Sequence, residues 1–201
     1  MKLRTWIEVS QSAIATNLSA FRSLLKPGTL LAGVVKSNAY GHDFLQFSPE
    51  LVKNGIDYLA VDSIVEARRL RQENITTPII VLGYTLPENI GAASASNIEL
   101  ALSSFDSLTA AVAASKICGR PVTAHVKVDT GMNRQGFDLS QSAALLEFLA
   151  AHQKEIIVKG VMTHFAAANN PTLPAQTEQQ IEQFKHWRDL FAKGNHRPLY
   201  H

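Results

Sequence analysis

Short apolar runs alternate with amphipathic segments along this chain, and that alternation restricts the fold more than any other feature. The runs are Leu30–Val35, Tyr58–Val61, Pro78–Gly83, Glu99–Ser103, Val122–Val128 and Ile156–Met162, with Pro198–His201 as a shortened seventh. The segments between them, Phe44–Asn54, Ser63–Glu73, Glu88–Ala95, Phe105–Ile117, Leu139–His152 and Thr177–Lys193, read as helices; Ile64, Ala67 and Leu70 line one side of the second. Strands separated by helices on a repeat of roughly 20 to 35 residues indicate serial βα units around a parallel sheet. Two arrangements satisfy that pattern, a closed barrel and a doubly wound sheet. No G-x-G-x-x-G follows any run, so the dinucleotide-binding sheet loses its main support. The fold class is therefore read as α/β, a (β/α)8 TIM-type barrel. A barrel takes eight strands and typically about 250 residues. Six full units and part of a seventh are expected to be an incomplete barrel, one domain over residues 1–201 that is a fragment of a longer protein. Ahead of it, Leu3–Val9 alternates weakly and reads as a strand leading in. Ser10 or Ser12 is placed to cap a helix with the stripe Ile14, Leu18, Phe21, Leu24 and Leu25, stopped by Pro27-Gly28. Asn169–Gln176 (NNPTLPAQ) reads as a long surface loop.

In such a barrel, functional groups gather at the C-terminal ends of the strands. The run Leu30–Val35 reads as a strand buried on both faces, and it ends in Lys36. A lysine there is costly unless paired or used. Burial lowers an amine's pKa and makes it a nucleophile and imine former. Tyr40, four residues on, is either a packing residue or a hydroxyl that reaches a phosphate. In the fifth run, His125, Lys127 and Asp129 alternate with Val126 and Val128, so period-2 geometry puts the polar three on one face. If the valines meet the helices, Lys127 points inward and requires an anion or a modification that removes its charge. Thr130-Gly131-Met132-Asn133 makes a turn, and Arg134 emerges beyond it with a guanidinium suited to a carboxylate or phenolate. The plainer reading is a solvated loop with a surface arginine. The sixth run ends in His164, either an ordinary rim residue or an imidazole that stacks on an aromatic cofactor.

Other chemistries find less support. H-x-x-x-H, C-x-x-C and clustered carboxylates are absent from the sequence, as is G-x-S-x-G. The net charge of +2, from 19 basic and 17 acidic residues, comes with no basic run and gives no nucleic-acid footprint. Cys118 is the only cysteine, which fits a reducing cytoplasm better than a disulfide framework. No signal peptide is expected at Met1-Lys2-Leu3-Arg4, and the longest apolar run is too short for a membrane span. A lysine, an arginine, a histidine and a tyrosine at one barrel mouth suggest pyridoxal phosphate chemistry, the lysine holding the cofactor as an imine and the cofactor acting as electron sink.

The residues resemble a known family. VVKSNAYGHD is similar to the pyridoxal-lysine signature of the alanine racemases, A-V-V-K-A-N-A-Y-G-H-G. KVDTGMNRQGF resembles that family's K-x-D-T-G-M-x-R-x-G-F, MTHFAAAN its M-T-H-F-A-x-A-D, and RTWIEVSQSAIATN its R-x-x-W-x-E-I-x-x-x-A-x-x-x-N. AVDSIVEARRLRQENITTPIIVLG looks like its second and third barrel units, so the likeness runs the whole length in order. The resemblance implies a homodimeric, pyridoxal-phosphate-dependent enzyme that interconverts L- and D-alanine and supplies D-alanine for peptidoglycan. It implies that Lys36 holds the cofactor and acts as a base, and that Tyr40 contacts the phosphate. It places Arg134 near the cofactor's phenolic oxygen and, with Met132, at the substrate carboxylate. His164 falls in the hydrogen-bond network under the ring. Lys127 matches a lysine that is carbamylated in some members, and His201 lies just ahead of the family's A-N-S-A phosphate segment. Ser37 stands for the usual Ala, Asp43 for Gly and Asn169 for Asp. The family's second base is a tyrosine of a C-terminal β domain, contributed across the dimer. The 201 residues hold neither that domain nor the A-N-S-A segment, and are expected to racemise poorly alone. Alternatives are a racemase for serine, lysine or arginine, a pyridoxal-phosphate-binding barrel without catalysis, and a fragment that does not close.

Overall fold

The computed structural model describes residues 4–194 and 197–201. Their contacts cluster into two compact units, divided between Gly83 and Tyr84.

The first unit opens with Arg4–Val9, which is exposed and forms no strand. The expected leading strand is thus corrected; its first residue, Leu3, lies outside the described residues. A strand without a partner leaves its backbone groups to water, and none pairs here. Helix α1 (Gln11–Leu24) is capped by Ser10, whose Oγ accepts from Ala13 N–H at 3.2 Å. Its apolar stripe is only partly used: Ile14 is buried, whereas Phe21 and Leu24 are exposed. The helix packs on α2 (Phe44–Lys53). Strands β1 (Ala32–Val34), β2 (Tyr58–Val61) and β3 (Ile79–Val81) pair in parallel, Gly33 opposite Leu59 and Ala60 opposite Ile80. Every residue of β2 and β3 is buried, but β1 is not: Val34 is 43% exposed and Leu30 47%. The expectation of a strand covered on both faces fails at β1 because it is an edge, bonded on the β2 side only among the described residues. Helix α3 (Ile64–Gln72) buries Ile64, Ala67 and Leu70 and starts in a capping box between Ser63 and Glu66.

The second unit carries β4 (Glu99–Leu102), β5 (Val122–Lys127), β6 (Ile156–Met162) and β7 (Leu199–Tyr200), again parallel and in sequence order. Helices α4 (Pro87–Ala95), α5 (Phe105–Cys118), α6 (Ser142–Ala151, led in by a 3-10 turn at Leu139–Gln141) and α7 (Pro174–Lys193) accompany them. The core includes Ile90, Leu100, Leu108, Leu145, Trp187 and Phe191. Helix α7 begins earlier than its periodicity suggests, shortening the expected loop: Pro174 occupies the first turn, where a missing N–H costs nothing. The pairing of β5 with β6 shifts register between Ala124 and His125, skipping Lys159 and bringing Gly160 opposite His125. A side chain at Gly160 would collide with the His125 ring, so the bulge requires glycine there.

Candidate active site

Two clusters at strand ends contain the residues that the sequence singles out. In the first unit, β1 runs into Val35, which is fully buried, and then Lys36. The backbone now reverses hand. Ser37, Asn38, Ala39 and Tyr40 all have φ between 51° and 57°, four successive left-handed residues, none of them glycine. Each costs roughly 1–2 kcal/mol against the right-handed form, and such runs persist only where surroundings hold them. Here Ala39 N–H donates to Val35 O (2.9 Å) and Gly41 N–H to Asn38 O (3.0 Å). Asn38 Oδ1 accepts from Phe44 N–H (3.1 Å), and Glu66 Oε1 accepts from Ser37 N–H (2.7 Å). The turn points Lys36 at Asp62, its Nζ 3.2 Å from Oδ1. The Lys36 side chain keeps 35% of its surface exposed, which corrects the expectation of a buried amine: it is paired and open to reagents. Tyr40 is 63% exposed. Asp62 directly follows β2, and its carbonyl accepts from Gly83 N–H (3.0 Å); a Cβ at Gly83 would collide with that carbonyl.

In the second unit, His125, Val126 and Lys127 are all buried. Lys127 Nζ donates to Val128 O (3.2 Å) and forms no ion pair among the described residues. Burial pushes its pKa down, the Asp129 carboxylate partly offsets this, and Arg134 adds to the depression. Asp129 organises the loop that follows. Its Oδ1 accepts from the N–H groups of Gly131, Met132 and Asn133 at 2.8, 2.9 and 3.1 Å, and Oδ2 from that of Arg134 at 3.1 Å. Burial raises its pKa, but those four donors outweigh it and hold the carboxyl below its ordinary value. The loop returns through Gly136 at φ 126°, where a Cβ would sit 2.7 Å from Asp129 N. Phe137 then packs edge-on against Phe105. Arg134 is exposed, and its guanidinium has no hydrogen-bond or ion-pair partner among the described residues. Met132 is half-buried.

His164, after β6, is exposed, and the backbone around it is fixed by Gln180 of α7. That buried amide donates to His164 O (3.2 Å) and Thr130 Oγ1 (3.3 Å) and accepts from Ala166 N–H (2.8 Å). Thr130 and Thr163 share a 2.8 Å hydroxyl contact, tying the loops after β5 and β6 together. Deeper in, Glu99 Oε2 lies 2.5 Å from His125 Nε2, and His125 Nδ1 lies 2.8 Å from His201 Nε2. Dense surroundings, then the charges of His125 and Lys127, hold His201 down to about 4, although the residue retains an exposed surface.

Sequence reasoning missed Asp62, Glu66, Glu99 and Gln180. Of these only Glu66 leaves a local signal, the Ser63-x-x-Glu66 capping pattern; the others act across strands far apart in the chain.

A strand-end lysine on a left-handed turn, followed later by an Asp-centred loop that presents an arginine, defines a lysine-bearing βα-barrel class. Residues 9–201 match the family model described as "Alanine racemase, N-terminal domain", and the chain belongs to that family. It is 34% identical over 197 residues to alanine racemase 2 of Oceanobacillus iheyensis, covering 98% of this chain and 50% of that protein. Among solved structures, the alanine racemase of Clostridium difficile 630 superposes with a TM-score of 0.93 at 29% identity, over 100% of this chain and 56% of that one. A histidine racemase from Leuconostoc mesenteroides aligns with a TM-score of 0.79 at 30% identity, over 87% of this chain and 46% of its own. The chain therefore spans about half the length of the relatives it matches, and its α/β fold is that of an incomplete TIM-type barrel. No helix among the described residues is long and apolar enough to cross a membrane.

Proposed function

We propose that residues 1–201 are the pyridoxal-phosphate-binding N-terminal barrel of a cytoplasmic, homodimeric alanine racemase. The observation that carries this reading is Lys36, a primary amine at the end of β1, ion-paired yet partly open, on a turn that also carries an exposed phenol at Tyr40. That pair of groups fits the cofactor: the amine can bond its aldehyde, and the phenol can donate to its phosphate. Bound there, pyridoxal phosphate supplies an electron sink for the bond pair left when an amino acid loses its α-proton.

The chain's own groups account for the rest. Asp62 keeps Lys36 oriented at 3.2 Å and provides a counter-charge while its amine takes up a proton. Arg134, on a loop wound about Asp129, offers an uncommitted guanidinium for a substrate carboxylate, with Met132 beside it on the loop. His164 is held by the Gln180 network, where an imidazole can hand on a hydrogen bond. Lys127, buried with no ion-pair partner among the described residues, suits carbamylation: its ammonium gives up one proton, the free amine adds carbon dioxide and releases a second, and a buried cation becomes an anion that Arg134 can face.

Exchange of the α-proton of alanine in heavy water tests the reading, because exchange needs one base whereas racemisation needs two. The chain with pyridoxal phosphate is expected to exchange that proton, and Lys36→Ala to abolish the exchange. Exchange that survives Lys36→Ala overturns it. A second reading, a racemase for another amino acid, has the histidine racemase alignment in its favour; faster exchange of histidine than alanine would select it.

A further inference from the structure

We propose that Glu66 is a positioning residue for Lys36, holding through the Ser37 N–H the left-handed turn that sets where the amine emerges. This rests on reading Lys36 as the reactive amine. A glutamate at the third position of a helix ordinarily closes a capping box, and Glu66 does so: its Oε2 accepts from Ser63 N–H (3.2 Å) and Asp62 N–H (2.9 Å). That function leaves Oε1 unused. In this chain Oε1 reaches across to another loop and accepts from Ser37 N–H at 2.7 Å, the shortest of the carboxylate's three contacts.

The residue so held is the first of the four left-handed residues and follows Lys36 directly. Left-handed backbone in non-glycine residues needs support from outside the turn. Ala39 N–H bonds back to Val35 O across Lys36, Val35 N–H is held by Ala60 O ahead of the amine, and the Asn38 contact to Phe44 lies towards the far end; the outside anchor of the first left-handed residue itself is Glu66. The other oxygen grips Asp62 N–H, and the Asp62 carboxylate is the ionic partner of Lys36. One carboxylate thus fixes the backbone under the amine and the backbone under its counter-ion, so that their 3.2 Å approach is set by a shared anchor.

Glu66 thus differs from a simple cap. Glu66→Gln keeps one acceptor oxygen in place of two, so either the start of α3 or Ser37 is released. Glu66→Asp keeps the charge but is one methylene short of Ser37. Ser63→Ala weakens the same capping box from its other side, removing the Oγ that accepts from Glu66 N–H (3.3 Å), and leaves Glu66 intact. Two readouts need no cofactor: amide hydrogen exchange at Ser37, and reductive methylation of Lys36 relative to the exposed Lys53, mapped by mass spectrometry. Both Glu66 variants are expected to speed Ser37 exchange about tenfold, as loss of one charged hydrogen bond implies, and to shift the Lys36-to-Lys53 methylation ratio. Ser63→Ala is expected to lower the melting temperature while leaving both readouts at wild-type values. Glu66 variants indistinguishable from Ser63→Ala in both readouts would overturn the proposal. If wild-type Lys36 shows no borohydride-dependent label from pyridoxal phosphate while the Ser37 result holds, the reading of Lys36 fails and the positioning by Glu66 stands.

Discussion

Lys36 and Lys127 both end a parallel strand, yet their surroundings differ in nearly every respect. Lys36 follows an edge strand, keeps about a third of its side chain in solvent and faces Asp62 across 3.2 Å. Lys127 ends a strand paired on both sides, has 2% of its surface exposed and, among the described residues, hydrogen-bonds only a backbone carbonyl. The first amine is held and accessible; the second is enclosed, and the Asp129 carboxylate only partly offsets its burial. Burial and partners, rather than position on a strand, decide what a lysine can do. The proposed function gives reactivity towards an aldehyde to Lys36, and loss of charge by modification to Lys127.

The comparison breaks most severely at Asp129, the acid that eases the charge of Lys127 and winds the Arg134 loop. Asp129→Ala strands four backbone N–H donors and is expected to cost about 3 kcal/mol, read by urea denaturation. The carboxyl's folded pKa lies below its ordinary value, so its stabilisation is complete above pH ~4 and fades as pH falls through the folded value. The wild-type advantage over the variant should shrink in acid.

A gentler test replaces the enclosed cation. Lys127→Met removes a buried charge at similar volume and is expected to stabilise the chain by ~1–2 kcal/mol near neutral pH. The folded pKa of Lys127 is depressed, so the charged form is penalised fully below it, and the penalty disappears as pH rises towards ~10.4. The variant's gain should fall over that range. A gain that is constant with pH would mean that folding does not depress the pKa of Lys127.

Smallest is the effect of relieving the turn behind Lys36. Ser37 is exposed at φ 52°, and Ser37→Gly is expected to raise stability by roughly 0.5–1 kcal/mol in thermal unfolding. No gain would mean that the left-handed turn carries no strain at that residue.

Much of this arrangement was readable in the sequence. Fully buried β2 and β3 announce themselves as apolar runs, and α3 shows both its apolar face and its capping box. The edge character of β1 did not show, because Leu30–Val35 has the composition of a buried strand and exposure depends on which strands lie beside it. The left-handed turn left no trace either: Ser37, Asn38, Ala39 and Tyr40 include no glycine, and the conformation is imposed by Glu66 and Phe44 from outside. Asp62, Glu99 and Gln180 are joined to Lys36, His125 and Thr130 by folding, over separations that local patterns do not span.

The contrast between the two lysines is tested most directly by treating the chain with pyridoxal phosphate and borohydride and mapping the modified peptides. The account predicts a label on Lys36 that Lys36→Ala removes, with Lys127 unmodified in the folded chain. A label on Lys127 of equal yield, or none at Lys36, would contradict it.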